Sequence, residues 1–206
     1  MKKVLCFGDS NTFGFNPIDG SRYDKNIRWT GILQTLCEDN FKIIEAGCNN
    51  RTAFSDNLAG MMFTGYKILP EILNSDLDFV VLAIGINDLQ FQYQVTLADI
   101  ETGISKLIEI AQNKIQNAKI ILVVPTRLTI DVLKSPIFST LFDQSSIDKS
   151  KNLSKIYSKV AQKYNCKFLD LNEFVVPSKI DGLHFEPKAH EKIAKKIFEL
   201  LNGELC

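Results

Sequence analysis

Two histidines occur in this chain of 206 residues, and one of them, His184, closes the run Asp181-Gly182-Leu183-His184. Imidazole is the side chain whose ordinary pKa best suits taking and returning a proton near neutral pH. An acid three residues earlier, in a turn containing glycine, is close enough to hold the ring and stabilise its protonated form. Such a base serves a hydroxyl nucleophile, because serine is a poor nucleophile until its proton is removed. The candidate is Ser10, in Phe7-Gly8-Asp9-Ser10-Asn11-Thr12. A third polar group is found in Gly85-Ile86-Asn87-Asp88. The chemistry these groups suggest is acyl transfer from an ester through a serine, with His184 as base and Asp181 orienting it. The second histidine, His190, falls in the amphipathic stretch from Lys188 to Leu200 and is read as a surface helix position.

These residues can meet only if the chain brings the ends of several elements together. Short apolar runs rich in β-formers, at residues 3–8, 41–46, 79–84, 119–124 and 167–170, alternate with amphipathic stretches near 28–38, 65–75, 96–117, 144–164 and 187–202. That alternation predicts an α/β fold, a five-stranded parallel sheet with helices on both faces. In open sheets of this kind ligands sit beyond the carboxyl ends of the strands. Ser10 follows the first run, Asn87 follows the third, and the Asp181 turn lies after the fifth. The region from Thr126 to Ser145 is irregular, broken by Pro136, and carries more apolar residues than a connector needs, so it is read as a lid or pocket wall.

Hydrophobic residues make up 45% and charged residues 23% of the chain, the balance of an ordinary globular protein, and the length suits one domain over residues 1–206. Lys plus Arg and Asp plus Glu both number 24, so no net field recruits nucleic acid or an anionic membrane. The five cysteines, Cys6, Cys37, Cys48, Cys166 and Cys206, are scattered without a C-x-x-C pair and read as reduced thiols of a cytoplasmic protein. The first apolar run, Val4 to Phe7, is too short for a signal peptide or a membrane span.

Phe7-Gly8-Asp9-Ser10, Gly85-Ile86-Asn87-Asp88 and Asp181-Gly182-Leu183-His184 resemble blocks I, III and V of the SGNH hydrolases, also called the GDSL family, in their usual order and separation. Arg28-Trp29-Thr30-Gly31, Glu45-Ala46-Gly47, Arg51-Thr52 and the aromatic stretch Phe138 to Phe142 extend the resemblance over almost the whole length, towards bacterial arylesterases and perhydrolase-type acyltransferases. The resemblance implies a flavodoxin-like three-layer α/β/α sandwich. It also implies Ser10, His184 and Asp181 as a catalytic triad, and an oxyanion hole made by the backbone N–H of Ser10, the Asn87 amide and a block II backbone N–H. Preorganised donors of this kind stabilise the negative oxygen of an acyl-transfer transition state. Many relatives have glycine at the block II position where this chain has Asn50. Asn50 is favoured here, since a main-chain donor does not depend on the side chain and asparagine tolerates the left-handed conformation; Gly47 is the fallback. Asp9 is read as tying down its own loop. A small ester substrate, no cofactor and no metal are implied, and assembly into a homo-oligomer is an expectation of the same resemblance.

Phe13 and Phe15, soon after Ser10, and Phe138 and Phe142 are candidates for the pocket wall. Family members also include carbohydrate O-deacetylases, thioesterases and lysophospholipases, which share the catalytic groups and differ in pocket shape. Two readings outside the hydrolases remain open on the residues alone. One is a flavodoxin-like domain in which Ser10, Asn11 and Thr12 grip a phosphate. The other is a metal site of Asp181, His184, Glu186 and His190.

Overall fold

Val4, Leu5, Cys6 and Phe7 are all buried, as a strand covered on both faces requires, and form the middle of β1 (Lys2–Gly8). The computed structural model describes residues 1–116 and 118–203. It sets β2 (Phe41–Gly47), β3 (Phe79–Ala83), β4 (Lys119–Val124) and β5 (Lys167–Asp170) beside β1 in the order β2-β1-β3-β4-β5. Every pairing is parallel. This is the flavodoxin-like strand order, with its switch point between β1 and β3, where the rule for such sheets puts a ligand.

Alternate residues of each strand face opposite layers. Val4, Cys6, Val81 and Ile121 pack with α2 (Trp29–Cys37) and α7 (Pro187–Asn202). Leu5, Val80, Leu82 and Leu122 pack on the other face with α3 (Gly65–Ile72), α4 (Leu97–Lys114) and α6 (Leu153–Lys163). Among the described residues no helix is long and apolar enough to cross a membrane, and Cys6, Cys37, Cys48 and Cys166 are free thiols. Cys206 lies outside the described residues.

The five strands fall within a residue of their expected ends. The expected helix over 144–164 is instead two, α5 (Gln144–Ser150) and α6, separated at Lys151-Asn152. Side chains compete for the backbone there. The Ser150 hydroxyl donates to the Ile147 carbonyl and accepts from the Leu128 N–H, while the Asn152 amide donates to the Asp148 carbonyl. The expected end of the 96–117 helix, at 117, lies outside the described residues; α4 itself closes at Lys114.

Ser10 opens a single helical turn, α1 (Ser10–Phe13), capped by Asp9, whose Oδ1 accepts from the Asn11 N–H at 3.0 Å, and closed by Gly14 at φ 88°. Asp9 thus ties down its own loop. Gly47, at the end of β2, lets this turn lie against the sheet, because a Cβ there would stand 2.2 Å from the Phe13 backbone nitrogen. Gly47 is therefore a packing glycine. Gly47→Ala is expected to push α1 away from β2 and to cost about 1–3 kcal/mol of stability, as overpacking does. Urea unfolding measures the loss; a midpoint equal to wild type would contradict this account of α1.

Candidate active site

The turn after β5 is built to fix one ring. Asp181 Oδ1 accepts the backbone N–H groups of Leu183 and His184, at 3.0 and 2.9 Å, so the carboxylate is anchored to the same turn that carries the imidazole. Its Oδ2 lies 2.6 Å from His184 Nδ1. An ionised carboxylate only accepts, so Nδ1 carries the proton and Nε2 is left as the acceptor. Nε2 sits 2.8 Å from Ser10 Oγ. Burial pushes the Asp181 pKa up, but hydrogen bonds from the His184 ring and the turn's amides, with the attraction of that ring, more than offset this and leave it below the usual carboxylate range. Ser10, His184 and Asp181 are each no more than 5% exposed, so the whole chain of proton donors and acceptors is shielded from bulk water.

Aromatic rings fix the imidazole from the side. The Phe15 ring lies 4.2 Å from that of His184, between centroids, and the Phe138 ring 5.0 Å from it. Phe15, Phe138, Leu141 and Leu183 make the apolar wall of a cavity of about 120 Å³ above Ser10 and His184. The opposite wall is made of carboxamides: Asn49, Asn50, Asn87 and Gln90.

Asn87 follows β3 and opens a short 3₁₀ turn, Asn87–Leu89. Its Nδ2 donates one hydrogen to the Arg51 carbonyl at 3.1 Å, and the residue lines the cavity. Asn50 adopts φ 60°, the left-handed conformation expected of it, and lines the cavity; Gly47 does not. The neighbouring acid, Asp88, is fully buried and accepts the N–H groups of Ala53, Phe54 and Ser55 at 2.6, 3.0 and 2.8 Å. It thereby fastens the segment after Asn50 to the end of β3.

Several expected positions are displaced. Phe142 is 1% exposed and packs in the core, and Leu141 takes the wall position assigned to it. Phe13 is not among the residues lining the cavity and lies beneath the Arg22 guanidinium at 4.7 Å. His190 is fully buried rather than on a surface, and its Nδ1 accepts the Trp29 N–H at 3.3 Å. A signal for this exists in the sequence: His190 shares a helix face with Ile193, Ala194, Ile197 and Leu201. Asn49 and Gln90 have no such signal, since lone amides in loops carry no motif.

The groups of the alternative metal set are committed to partners within the protein. His184 spends both ring nitrogens on Asp181 and Ser10, His190 Nδ1 faces Trp29, and Glu186 accepts from Ser178 Oγ. The groups of the phosphate-gripping alternative also have partners within the protein. The Asn11 amide donates to the Leu183 carbonyl and the Thr12 hydroxyl to that of Ala83, and Ser10 faces His184.

A parallel sheet of this order between two helical layers, with Ser10 after β1, Asn87 after β3 and Asp181-x-x-His184 after β5, is the architecture of the SGNH hydrolases. A sequence profile of the GDSL-like lipase/acylhydrolase family matches residues 6–192, and the chain belongs to that family. The structure is similar to that of Est24, a carbohydrate acetylesterase from Sinorhizobium meliloti, with 28% identity and a TM-score of 0.92 over 98% of this chain and 99% of that one. It is similar to the aryl esterase of M. smegmatis, with 27% identity and a TM-score of 0.88 over 98% and 99% of the two chains. A lipase/acylhydrolase from Enterococcus faecalis shares the fold at 23% identity and a TM-score of 0.70, over 99% and 97%. Comparison with curated proteins finds no match. Family and neighbours together make the chain a carboxylic ester hydrolase.

The buried His190 gives the fold a pH dependence of defined sign. Burial, and then the nearby His184, hold its pKa down to about 4. Between that value and about 6.5, the unfolded chain binds a proton that the folded chain refuses. Its contribution to stability is thus present above about pH 6.5 and falls as the pH drops towards 4, by up to roughly 3 kcal/mol. His190→Gln, which keeps an acceptor for Trp29, is expected to flatten this slope in urea unfolding across the interval. An unchanged slope would show that His190 does not titrate as described.

Proposed function

We propose that this chain is a serine esterase that removes or transfers short acyl groups from small esters through a covalent acyl-enzyme. The observation that carries the reading is the buried chain Ser10 Oγ to His184 Nε2 to Asp181, at 2.8 and 2.6 Å, opening into a cavity lined by Asn50 and Asn87.

Ser10 Oγ attacks the ester carbonyl as His184 Nε2 takes its proton, and Asp181 stabilises the imidazolium. The carbonyl oxygen becomes an oxyanion, held by the backbone N–H groups of Ser10 and Asn50 and by the Asn87 amide. Collapse expels the alcohol, which receives the proton from His184. Water or a second alcohol then repeats the sequence on the acyl-enzyme, and Ser10 is regenerated. Side chains and backbone amides supply every step.

A cavity of about 120 Å³ favours a small acyl group. The neighbours described as an aryl esterase and a carbohydrate acetylesterase support two classes of alcohol, a phenol and a sugar. Turnover of p-nitrophenyl esters is expected to fall from acetate through butyrate to octanoate, and assay of acetylated sugars beside them separates the two classes.

Ser10→Ala is expected to lower p-nitrophenyl acetate turnover by at least about a thousandfold with the fold intact by circular dichroism. Near-normal activity in this variant would overturn the assignment. Asn87→Ala is expected to lower kcat by about a hundredfold or more while leaving KM nearly unchanged, because its amide acts on charge that develops only in the transition state. A change confined to KM would instead make Asn87 a ground-state binding group.

A further inference from the structure

A carboxamide is useful in an oxyanion hole only in one of its two orientations. With nitrogen towards the substrate it donates to the developing negative oxygen; rotated by half a turn, it presents its own oxygen and repels it. A lone asparagine at a cavity wall has no reason to prefer the productive orientation. Something must choose it.

Gln90 is 1% exposed and stands three residues beyond Asn87, at the end of the 3₁₀ turn that Asn87 opens. Its side-chain Nε2 has two hydrogens, and both are committed. One is donated to Asn50 Oδ1 at 2.8 Å and the other to Asn87 Oδ1 at 3.2 Å. Its Oε1 accepts from the Gln92 amide at 2.9 Å, which sets the orientation of Gln90 in turn. On the far side of Asn87, the Arg51 carbonyl accepts one Nδ2 hydrogen. If the Asn87 amide were reversed, its oxygen would face the Arg51 carbonyl and its nitrogen the Gln90 amide nitrogen. Both contacts would turn from hydrogen bonds to repulsions between buried groups. Asn50 is gripped on both ends as well, its Oδ1 by Gln90 and its backbone carbonyl by the Asn57 amide at 2.6 Å. That grip holds the left-handed turn that directs its backbone N–H.

The geometry points to Gln90 as the positioning residue of the oxyanion hole: one buried amide that orients the side chain of Asn87 and the backbone of Asn50 together. It spends its donors on these two residues and contributes to the reaction through them. This inference rests on the esterase reading above and deepens it.

The test is steady-state hydrolysis of p-nitrophenyl acetate by wild type, Gln90→Leu and Gln90→Glu, each also made in the Asn87→Ala background, with Ser10→Ala in the same series. Leucine removes the donors at similar volume, and glutamate keeps the shape while presenting oxygen to both asparagine carbonyls. In each single variant kcat is expected to fall by about tenfold or more with KM within about twofold. In the Asn87→Ala background the same substitutions are expected to cost less, because one of the two groups they act through is gone. A wild-type kcat in a folded Gln90→Leu or Gln90→Glu protein overturns the positioning role. So does a loss that multiplies in full with that of Asn87→Ala, or one confined to KM. Should leucine unfold the protein, the glutamate variant carries the test, with thermal melting as the check on each. Failure of the two readings looks different. An active Ser10→Ala enzyme removes the esterase mechanism and this inference with it, whereas an inactive Ser10→Ala beside an unimpaired Gln90→Leu removes this inference alone.

Discussion

A single buried arginine joins the strand ends that the site is built on. Arg51 is 6% exposed, and its Nη1 donates to the carbonyls of Gly8 and Ala46, at 3.0 and 2.5 Å, where β1 and β2 run out. Its guanidinium stacks 4.6 Å over the Phe7 ring, and its own carbonyl receives the Asn87 amide. Arg51 thereby ties the loop that begins at Ser10, the segment after β2 and the end of β3 to one group. The charge has consequences nearby. Burial pushes the Asp9 carboxyl up to about 7, and Arg51 acts against that rise.

The second tie is Asp88, which draws three backbone amides of residues 53–55 onto the end of β3. Between them, Arg51 and Asp88 leave the segment from Asn50 to Ser55 little freedom. The left-handed turn at Asn50 is then a demand of the surroundings, met by a residue whose short polar side chain tolerates it. Further from the site, Arg28 grips Glu45 through two nitrogens, at 2.9 and 2.8 Å, and Thr30 adds a third bond, fixing the start of α2 to β2. The residues around Arg28 and Glu45 that extend the family resemblance are thus members of the frame.

The strands were legible because a parallel strand buried on both faces has to be a continuous apolar run, and Phe79 to Ile84 can be read in no other way once bounded by polar residues. Ser10, Asn87 and the Asp181 turn could be placed at one edge for the same reason. What escaped the sequence depends on long-range partners. Nothing local tells that Leu128 will offer its N–H to Ser150 and help to separate α5 from α6, or that Trp29 will offer its own to His190. Phe142 and Leu141 are neighbours of like character, and only the packing of the 3₁₀ turn at Phe138–Thr140 decides which meets the cavity. The carboxamide wall was invisible because each of its members is an ordinary loop residue until the loops are folded together.

The segment from Thr126 to Ser145 resolves a choice that composition left open between a lid and a wall. The Thr129 N–H bonds to the carbonyl of Gly182, in the turn that carries His184, and the Phe91 N–H bonds to that of Leu141, just past the turn that carries Asn87. Gly182 itself, at φ 67°, comes so near that a Cβ would touch the Val132 nitrogen at 2.3 Å. The segment is bonded along both margins to the turns that carry His184 and Asn87, which is the placement of a wall, and the shape of the chamber is then cut by its Phe138 and Leu141 side chains rather than by the sheet behind them.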